Sequence, residues 1–338
     1  MKRHGNLFEK IVDIDNLRLA HQLAQRGKRH YTAVKKINKD PEPYLLEIQK
    51  MLIAGTFTTS EYQTELRFDG GKLRLIHKLP YFPDRIVQHA IMLVCGPIWR
   101  KSFIRDTFQS IEGRGTHDAR RRIEKFLKDN PKCHAIKVDI EKYYPSTKNE
   151  VVKACIRMKI KCIRTLRLLY DIIDSHIGLP IGNFTSQYLG NLLLTAFDWW
   201  VKQTVKLKGY FRYCDDIVFM HVNSKYLHNV YLLAKEKLTT LGLQLKNKVH
   251  YRYISKQGLD FCGFVFFGTH TKLRKKIAGS LKEKAKQKDP EKLLKSLMSY
   301  WGWIKRIQAK GLWRKIVSNE ILRLTDSIYA TKPLRGTV

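Results

Sequence analysis

A chain of 338 residues is long enough to bury a sizeable core in two or three packed subdomains, and 43% apolar with 11% aromatic residues excludes wholesale disorder. Sixty-four Lys and Arg against thirty Asp and Glu leave a net charge of +34, which points to a polyanionic partner, because each neutralised phosphate releases counterions. The six cysteines, at 95, 133, 155, 162, 214 and 262, contain no C-x-x-C pair, so neither a zinc site nor a disulfide framework is indicated. Reduced thiols in a cytosol are the expectation. The basic N-terminus has no unbroken apolar stretch, and no run of about 18 apolar residues occurs, so a soluble protein with no membrane association is expected.

No repeat or low-complexity linker divides the chain. Asp40-Pro41 opens a helix with Leu45, Ile48, Met51 and Leu52 at helical spacing, and Gly55 closes it. Residues 57–68 read as a strand, Asp69-Gly70-Gly71 as a tight turn, and Lys72 to Leu79 as the returning strand. Period two puts Lys72, Arg74 and Lys78 on one face, which by itself also describes a solvated edge strand. Asp84 to Trp99 reads as a mostly buried helix. Thr116 is placed to cap a basic helix from 117 to about 128, and His117 reads as structural.

His134 to Ile140 reads as a buried strand ending in a carboxylate, and 147–177 as mostly helical. Gly178 to Gln187 is expected to be a loop leading into a helix that carries Leu189, Leu192, Leu193, Phe197 and Trp200 on one side. A second strong strand pair surrounds Tyr213-Cys-Asp-Asp216. After Lys272 the pattern turns helical and basic, broken by Pro290 and Gly311, with Trp301, Trp303 and Trp313 as core anchors.

The chemistry concentrates at Phe211-Arg-Tyr-Cys-Asp-Asp-Ile-Val-Phe-Met220, where apolar residues flank two adjacent aspartates. Neighbouring carboxylates repel, and burying either is expensive unless a cation offsets it. Hard oxygen ligands favour Mg²⁺. A polar hairpin turn is the plain alternative, but Asp139 also ends an apolar strand, and a neighbouring strand would bring it beside Asp215. Three carboxylates around two metals form the apparatus for in-line attack of a 3′ hydroxyl on a nucleoside triphosphate.

Val-Asp-Ile-Glu-Lys-Tyr-Tyr-Pro-Ser (138–146), Gly-Leu-Pro-Ile-Gly (178–182) and Tyr-Cys-Asp-Asp (213–216) resemble reverse transcriptase motifs in order and spacing. Leu241-Gly-Leu-Gln-Leu245 and Phe261-Cys-Gly-Phe264 resemble the palm motifs that follow, and Lys72 to Ile76 and Arg85 to His89 the fingers motifs. The likeness runs from about residue 55 to 330. Within the family the chain is most similar to the reverse transcriptases of diversity-generating retroelements. Ile181 stands where most relatives have Gln, and Gly182-Asn-Phe-Thr-Ser-Gln187 continues the pattern typical of that group.

The resemblance implies an α+β right-hand polymerase fold. Fingers would span 1–130, with 147–180 also fingers-like; the palm, built on an antiparallel sheet, 131–146 and 181–271; and a short helical thumb, 272–338. It implies an RNA-directed DNA polymerase that copies a template RNA carelessly at adenines, with two Mg²⁺ ions (Mn²⁺ as a substitute) on Asp139, Asp215, Asp216 and the Ile140 carbonyl. Tyr144 would exclude the ribose 2′ hydroxyl, with Tyr143 in the core. Arg74, with Lys72, would reach the triphosphate. Ile181 and Gly182 would line the nucleotide site, and the apolar Ile181 would weaken discrimination. Gln187 would contact the nascent pair or satisfy local backbone. Lys246 or Lys248 would protonate pyrophosphate or lie solvated. The implied partners are template RNA and its DNA hybrid, deoxynucleotides, and a basic oligomeric accessory variability protein, in the cytoplasm of a bacterial, archaeal or phage-infected cell. Another bacterial reverse transcriptase (retron, defence-associated or intron-type) and a non-catalytic basic RNA-binding protein are the competing readings.

Overall fold

The structure is a computed structural model that describes residues 2–69, 71–287, 289–305, 307, 311 and 313. In chain order the helices are α1 (Phe8–Val12), α2 (Ile14–Ala24), α3 (Thr32–Ile37), α4 (Glu42–Ala54), α5 (Ile86–Arg100), α6 (Thr116–Asp129), α7 (Tyr143–Ser146), α8 (Asn149–Arg157), α9 (Ile163–Asp174), α10 (Phe184–Leu193), α11 (Thr195–Trp199), α12 (Ser224–Thr240), α13 (Ile254–Gln257), α14 (Lys275–Lys284) and α15 (Pro290–Ile304). The strands are β1 (Gln63–Asp69), β2 (Lys72–Lys78), β3 (His134–Asp139), β4 (Gly209–Tyr213), β5 (Asp216–His221), β6 (His250–Tyr253), β7 (Leu259–Phe261), β8 (Phe264–Phe266) and β9 (Thr271–Leu273). Two compact units divide the chain: Met1–Ile104, Ile140–Thr204 and Ala234–Lys246 form one, and Arg105–Asp139, Val205–Leu233 and Asn247–Val338 the other.

The first unit is helical apart from the antiparallel β1–β2 hairpin. Pro41 and left-handed Gly55 (φ 71°) bound α4 as expected, and Leu45, Ile48 and Leu52 are buried. α5 runs through the middle with Ile86, Val87, Ala90, Ile91 and Trp99 buried. Two of its polar residues are buried as well. Gln88 Oε1 accepts from the Phe184 backbone N–H at 2.9 Å and so serves the open N-terminus of α10. His89 stacks on Phe184 at 4.0 Å. On the hairpin, Leu66 pairs with Leu75 and Phe68 with Leu73, and all four side chains are exposed.

The second unit is built on a four-stranded antiparallel sheet in the order β4-β5-β3-β6, with a three-stranded sheet β7-β8-β9. β5 is buried along almost its whole length, as a central strand covered on both faces must be. Phe108, Ile123, Leu127, Phe211, Val218, Met220, Phe261, Phe264 and Leu281 share one core. Trp313 is buried in that core, and Trp301 and Trp303 pack against it, so the three tryptophans anchor it as expected.

Several local expectations are corrected. β1 begins at Gln63 and not at 57. Thr116 is the first residue of α6 and caps nothing, with Gly115 preceding it. The loop after Gly178 ends at Asn183, because Gln88 satisfies the start of α10; Leu194 then separates α10 from α11. The expected break at Pro290 is present, since α14 ends at Lys284 and Pro290 opens α15, where a first-turn residue needs no backbone N–H. The residues on either side of Gly311 and most of the expected thumb beyond it lie outside the described residues, as does Gly70 of the hairpin turn. Among the described residues no helix is long and apolar enough to cross a membrane.

His89 supplies a pH test. Burial, with Arg85 nearby, lowers its pKa to about 3, below the ordinary value of about 6.5. Its neutral form is favoured only in the fold, so stability is complete above about pH 6.5 and falls as the unfolded chain takes up the proton towards pH 3. Denaturant unfolding between pH 7.5 and 5 should show that decline, and a shallower decline in His89→Phe.

Candidate active site

Each strand that carries a candidate carboxylate buries apolar residues next to it. In β3, Ala135, Ile136 and Val138 are buried before Asp139, and in β5, Ile217 to Met220 are buried after Asp216. The antiparallel register pairs Asp139 with Asp216 and Val138 with Ile217. Tyr213 pairs with Asp216 on the other side, which leaves Cys214-Asp215 as a two-residue hairpin turn. Cys214 sits there with φ 58°, the positive φ that such turns require and that costs a non-glycine residue about 1 kcal/mol or more. The ladder thus brings Asp139 beside the acidic pair.

Arg212 holds that turn. It is fully buried, and its Nη1 donates to the Cys214 carbonyl at 3.0 Å. Its backbone is fixed on the far side, where its N–H donates to Asp106 and its carbonyl accepts from Phe108, at 3.0 and 3.1 Å. A buried guanidinium with such contacts is strongly committed to one conformation. Sequence reading passed over Arg212, although a charged residue inside an apolar run was the available signal.

Burial raises the Asp216 carboxyl to about 6, with Lys137 opposing the rise and Asp139 and Asp215 adding to it. Lys137 Nζ lies 2.9 Å from Asp216 Oδ2, while Oδ1 is buried with no hydrogen-bond partner among the described residues. An orphaned carboxylate oxygen beside two further carboxylates suits a hard divalent cation by donor chemistry. As the side chains stand, though, no group of three or more His, Cys, Asp or Glu among the described residues is gathered to hold a metal. The cation on Asp216 is the Lys137 ammonium.

The other candidates belong to the first unit. Ile140 is buried and bridges Leu245, and Glu141 N–H donates to Gln244 O at 2.8 Å. Tyr143 is buried and its hydroxyl donates to the Gly190 carbonyl, the core role expected of it; Tyr144 is half-buried. The 178–182 loop clamps between two other segments. Leu179 N–H donates to Tyr144 O at 2.9 Å, and a Cβ on Gly178 would lie 2.6 Å from Pro145 O. On the other side His77 N–H, on β2, donates to Ile181 O at 2.7 Å. Gly182 (φ 130°) lies so close that a Cβ would come within 2.2 Å of His77 O. Tyr144, Ile181, Gly182 and the strand of Arg74 are therefore joined through the backbone.

Arg74 is exposed on β2 opposite Arg67, and the Glu65 carboxylate, 3.5 Å from Arg67, offsets part of that like-charge pairing. Lys72 is on the same strand, paired with Asp69, and Lys78 forms an ion pair with Glu65. Gln187 is exposed on α10. Lys246 is half-buried in the first unit, and Lys248 is exposed in the second.

The fold is the α+β right-hand polymerase fold, with antiparallel sheets, that telomerases share. The telomerase of Candida albicans, determined with a TWJ fragment of telomeric RNA, superposes with a TM-score of 0.51 at 12% identity, covering 85% of this chain and 63% of that one. Apo telomerase of Candida tropicalis gives 0.52 at 13% identity, covering 81% and 59%. Among curated proteins, Protein YkfC of Escherichia coli (strain K12) is 26% identical over 196 residues, 52% of this chain and 51% of its own length. The chain therefore spans about half of that relative and about three fifths of the telomerase chains. No family model matches.

The glycine contacts yield a paired test. Gly182→Ala must displace the His77 carbonyl and should cost about 2–4 kcal/mol in denaturant unfolding, whereas Gly27→Ala, with positive φ but open space, should cost about 1 kcal/mol. Equal losses would remove the close approach from the account of this loop.

Proposed function

We propose that the chain is an RNA-directed DNA polymerase, a reverse transcriptase of a diversity-generating retroelement that copies template RNA into adenine-mutagenised cDNA. The carrying observation is the pairing of Asp139 with Asp216 next to the Cys214-Asp215 turn. Asp139, Asp215, Asp216 and the Ile140 carbonyl would hold two Mg²⁺ ions (Mn²⁺ substituting), which supply Lewis acidity to the attacking 3′ hydroxyl and charge neutralisation to pyrophosphate.

The protein's residues have the remaining work. Arg212 keeps the acidic turn in its strained form. Arg74, with Lys72, takes the triphosphate, since a guanidinium pairs well with phosphate oxygens. Tyr144, tied to the 178–182 loop through its carbonyl, excludes the ribose 2′ hydroxyl. Ile181 presents an apolar side chain where an amide would donate hydrogen bonds, so mispairs are rejected less strongly. Gln187, exposed on α10, would contact the nascent pair or satisfy local backbone groups. Lys246 and Lys248 are the candidate general acids for pyrophosphate. We assign fingers to 1–130 and 147–180, palm to 131–146 and 181–271, and thumb to 272–338. The net charge of +34 suits an RNA–DNA duplex gripped by its backbone without sequence readout. A basic oligomeric accessory protein and a cytoplasmic site of action in a bacterial, archaeal or phage-infected cell complete the reading.

The test is cDNA synthesis on a defined RNA with Mg²⁺ and deoxynucleotides, with and without the accessory protein, tallying errors by template base. Errors should concentrate opposite adenine. Asp215→Ala should reduce synthesis by about 10³-fold or more while RNA binding persists. Evenly low errors would assign the polymerase to another lineage, and RNA binding with no synthesis would leave a non-catalytic binding protein.

A further inference from the structure

The acidic cluster already bears a cation, and the protein supplies it. Lys137 stands two residues before Asp139 on β3, so strand alternation sends both side chains to the same face. Its ammonium lies 2.9 Å from Asp216 Oδ2 and donates to the Asp260 carbonyl, also at 2.9 Å. Its Nζ sits 5.8 Å from the centre of the Phe261 ring. The Asp260 carboxylate is engaged separately by Arg274 Nε, at 2.7 and 2.9 Å, which pins the strand that presents the carbonyl. Lys137 is thus seated by three fixed features of one unit. Of the two Asp216 oxygens, one carries the ammonium and the other is buried with no hydrogen-bond partner among the described residues.

We propose that Lys137 is a positioning residue that serves as a resident counter-cation: its ammonium holds Asp216 Oδ2 in the metal-free protein and leaves it as a divalent ion enters, so that Lys137 sets how tightly the cluster takes metal. The inference rests on the reading of Asp139, Asp215 and Asp216 as metal ligands. Two like-charged species compete for one oxygen, and an ammonium retained nearby also repels the incoming ion. The same contact keeps the closely spaced carboxylates tolerable before metal arrives. The four-carbon stem lets the ammonium move aside without disturbing the strand.

The experiment measures Mn²⁺ affinity by the electron paramagnetic resonance signal of the free ion, together with thermal melting in excess EDTA and in excess Mg²⁺. The full chain is used as wild type, Lys137→Met, Lys137→Arg and Asp215→Asn. Lys137→Met should bind Mn²⁺ at least about fivefold more tightly, the factor matching about 1 kcal/mol for a partly exposed ion pair. It should also melt lower than wild type in EDTA and gain more on Mg²⁺ addition. Lys137→Arg, which keeps the charge, should behave as wild type in all three readouts. Should the Met variant not fold, Lys137→Gln carries the same expectations.

If Asp215→Asn weakens Mn²⁺ binding but Lys137→Met leaves it unchanged or weaker, the role of Lys137 is overturned while the metal site stands. If Mn²⁺ binding ignores Asp215→Asn, the aspartates are not ligands and the inference falls with them.

Discussion

The hydrogen-bonded ladder between β3 and β5 is the constraint on which the candidate site depends. Its register pairs Val138 with Ile217 and Asp139 with Asp216, so burying the apolar residues of both strands places their acidic ends side by side. A slip of one residue would turn Val138 and Ile217 off the core and separate the carboxylates at once. Hydrophobic burial and site geometry are thus enforced by one register. The tolerance of three neighbouring carboxylates at the end of a buried sheet is then an electrostatic matter. Lys137 meets part of it, and the Asp216 carboxyl is raised chiefly by its burial, with Asp139 and Asp215 adding less.

The turn between β4 and β5 is the second element of that geometry. Cys214 adopts a left-handed backbone that a non-glycine residue avoids, and Arg212 secures its carbonyl from within the core. A buried guanidinium is costly unless its donors are well placed, so the strain of the turn and the burial of Arg212 support one another. Strain held by surrounding structure is common where a side chain must be presented in one orientation.

In the first unit the same economy is achieved by backbone. Gly178 approaches the Tyr144–Pro145 segment and Gly182 approaches His77, each closer than any side chain permits. Through these approaches Tyr144, Ile181 and the basic strand β2 share one rigid frame, while Gln88 fixes the helix that follows. Arg67 and Arg74 face each other across the β1–β2 hairpin, and the Glu65 carboxylate lies 3.5 Å from Arg67.

How much of this was legible in the sequence follows from whether the deciding forces are local. The strands ending in Asp139 and beginning at Asp216, the bounds of α4, the core role of Tyr143 and the fold class were readable, because apolar periodicity, Pro41 and Gly55 act within a few residues. The start of α10 was misplaced and Thr116 miscast as a cap, because Gln88 supplies the one from a distant helix and Gly115 precedes the other unaided. The contacts of Arg212 and Lys137 were not legible, since their partners, the Cys214 carbonyl and Asp216, meet them only once the sheet is assembled. The sequence by itself determined where the acidic residues fall at the ends of apolar strands, through charge and pattern. Tertiary structure alone decided the pairing of Asp139 with Asp216 and the ammonium on that pair, because contacts across a ladder arise from register, and register is settled by burial of the whole sheet.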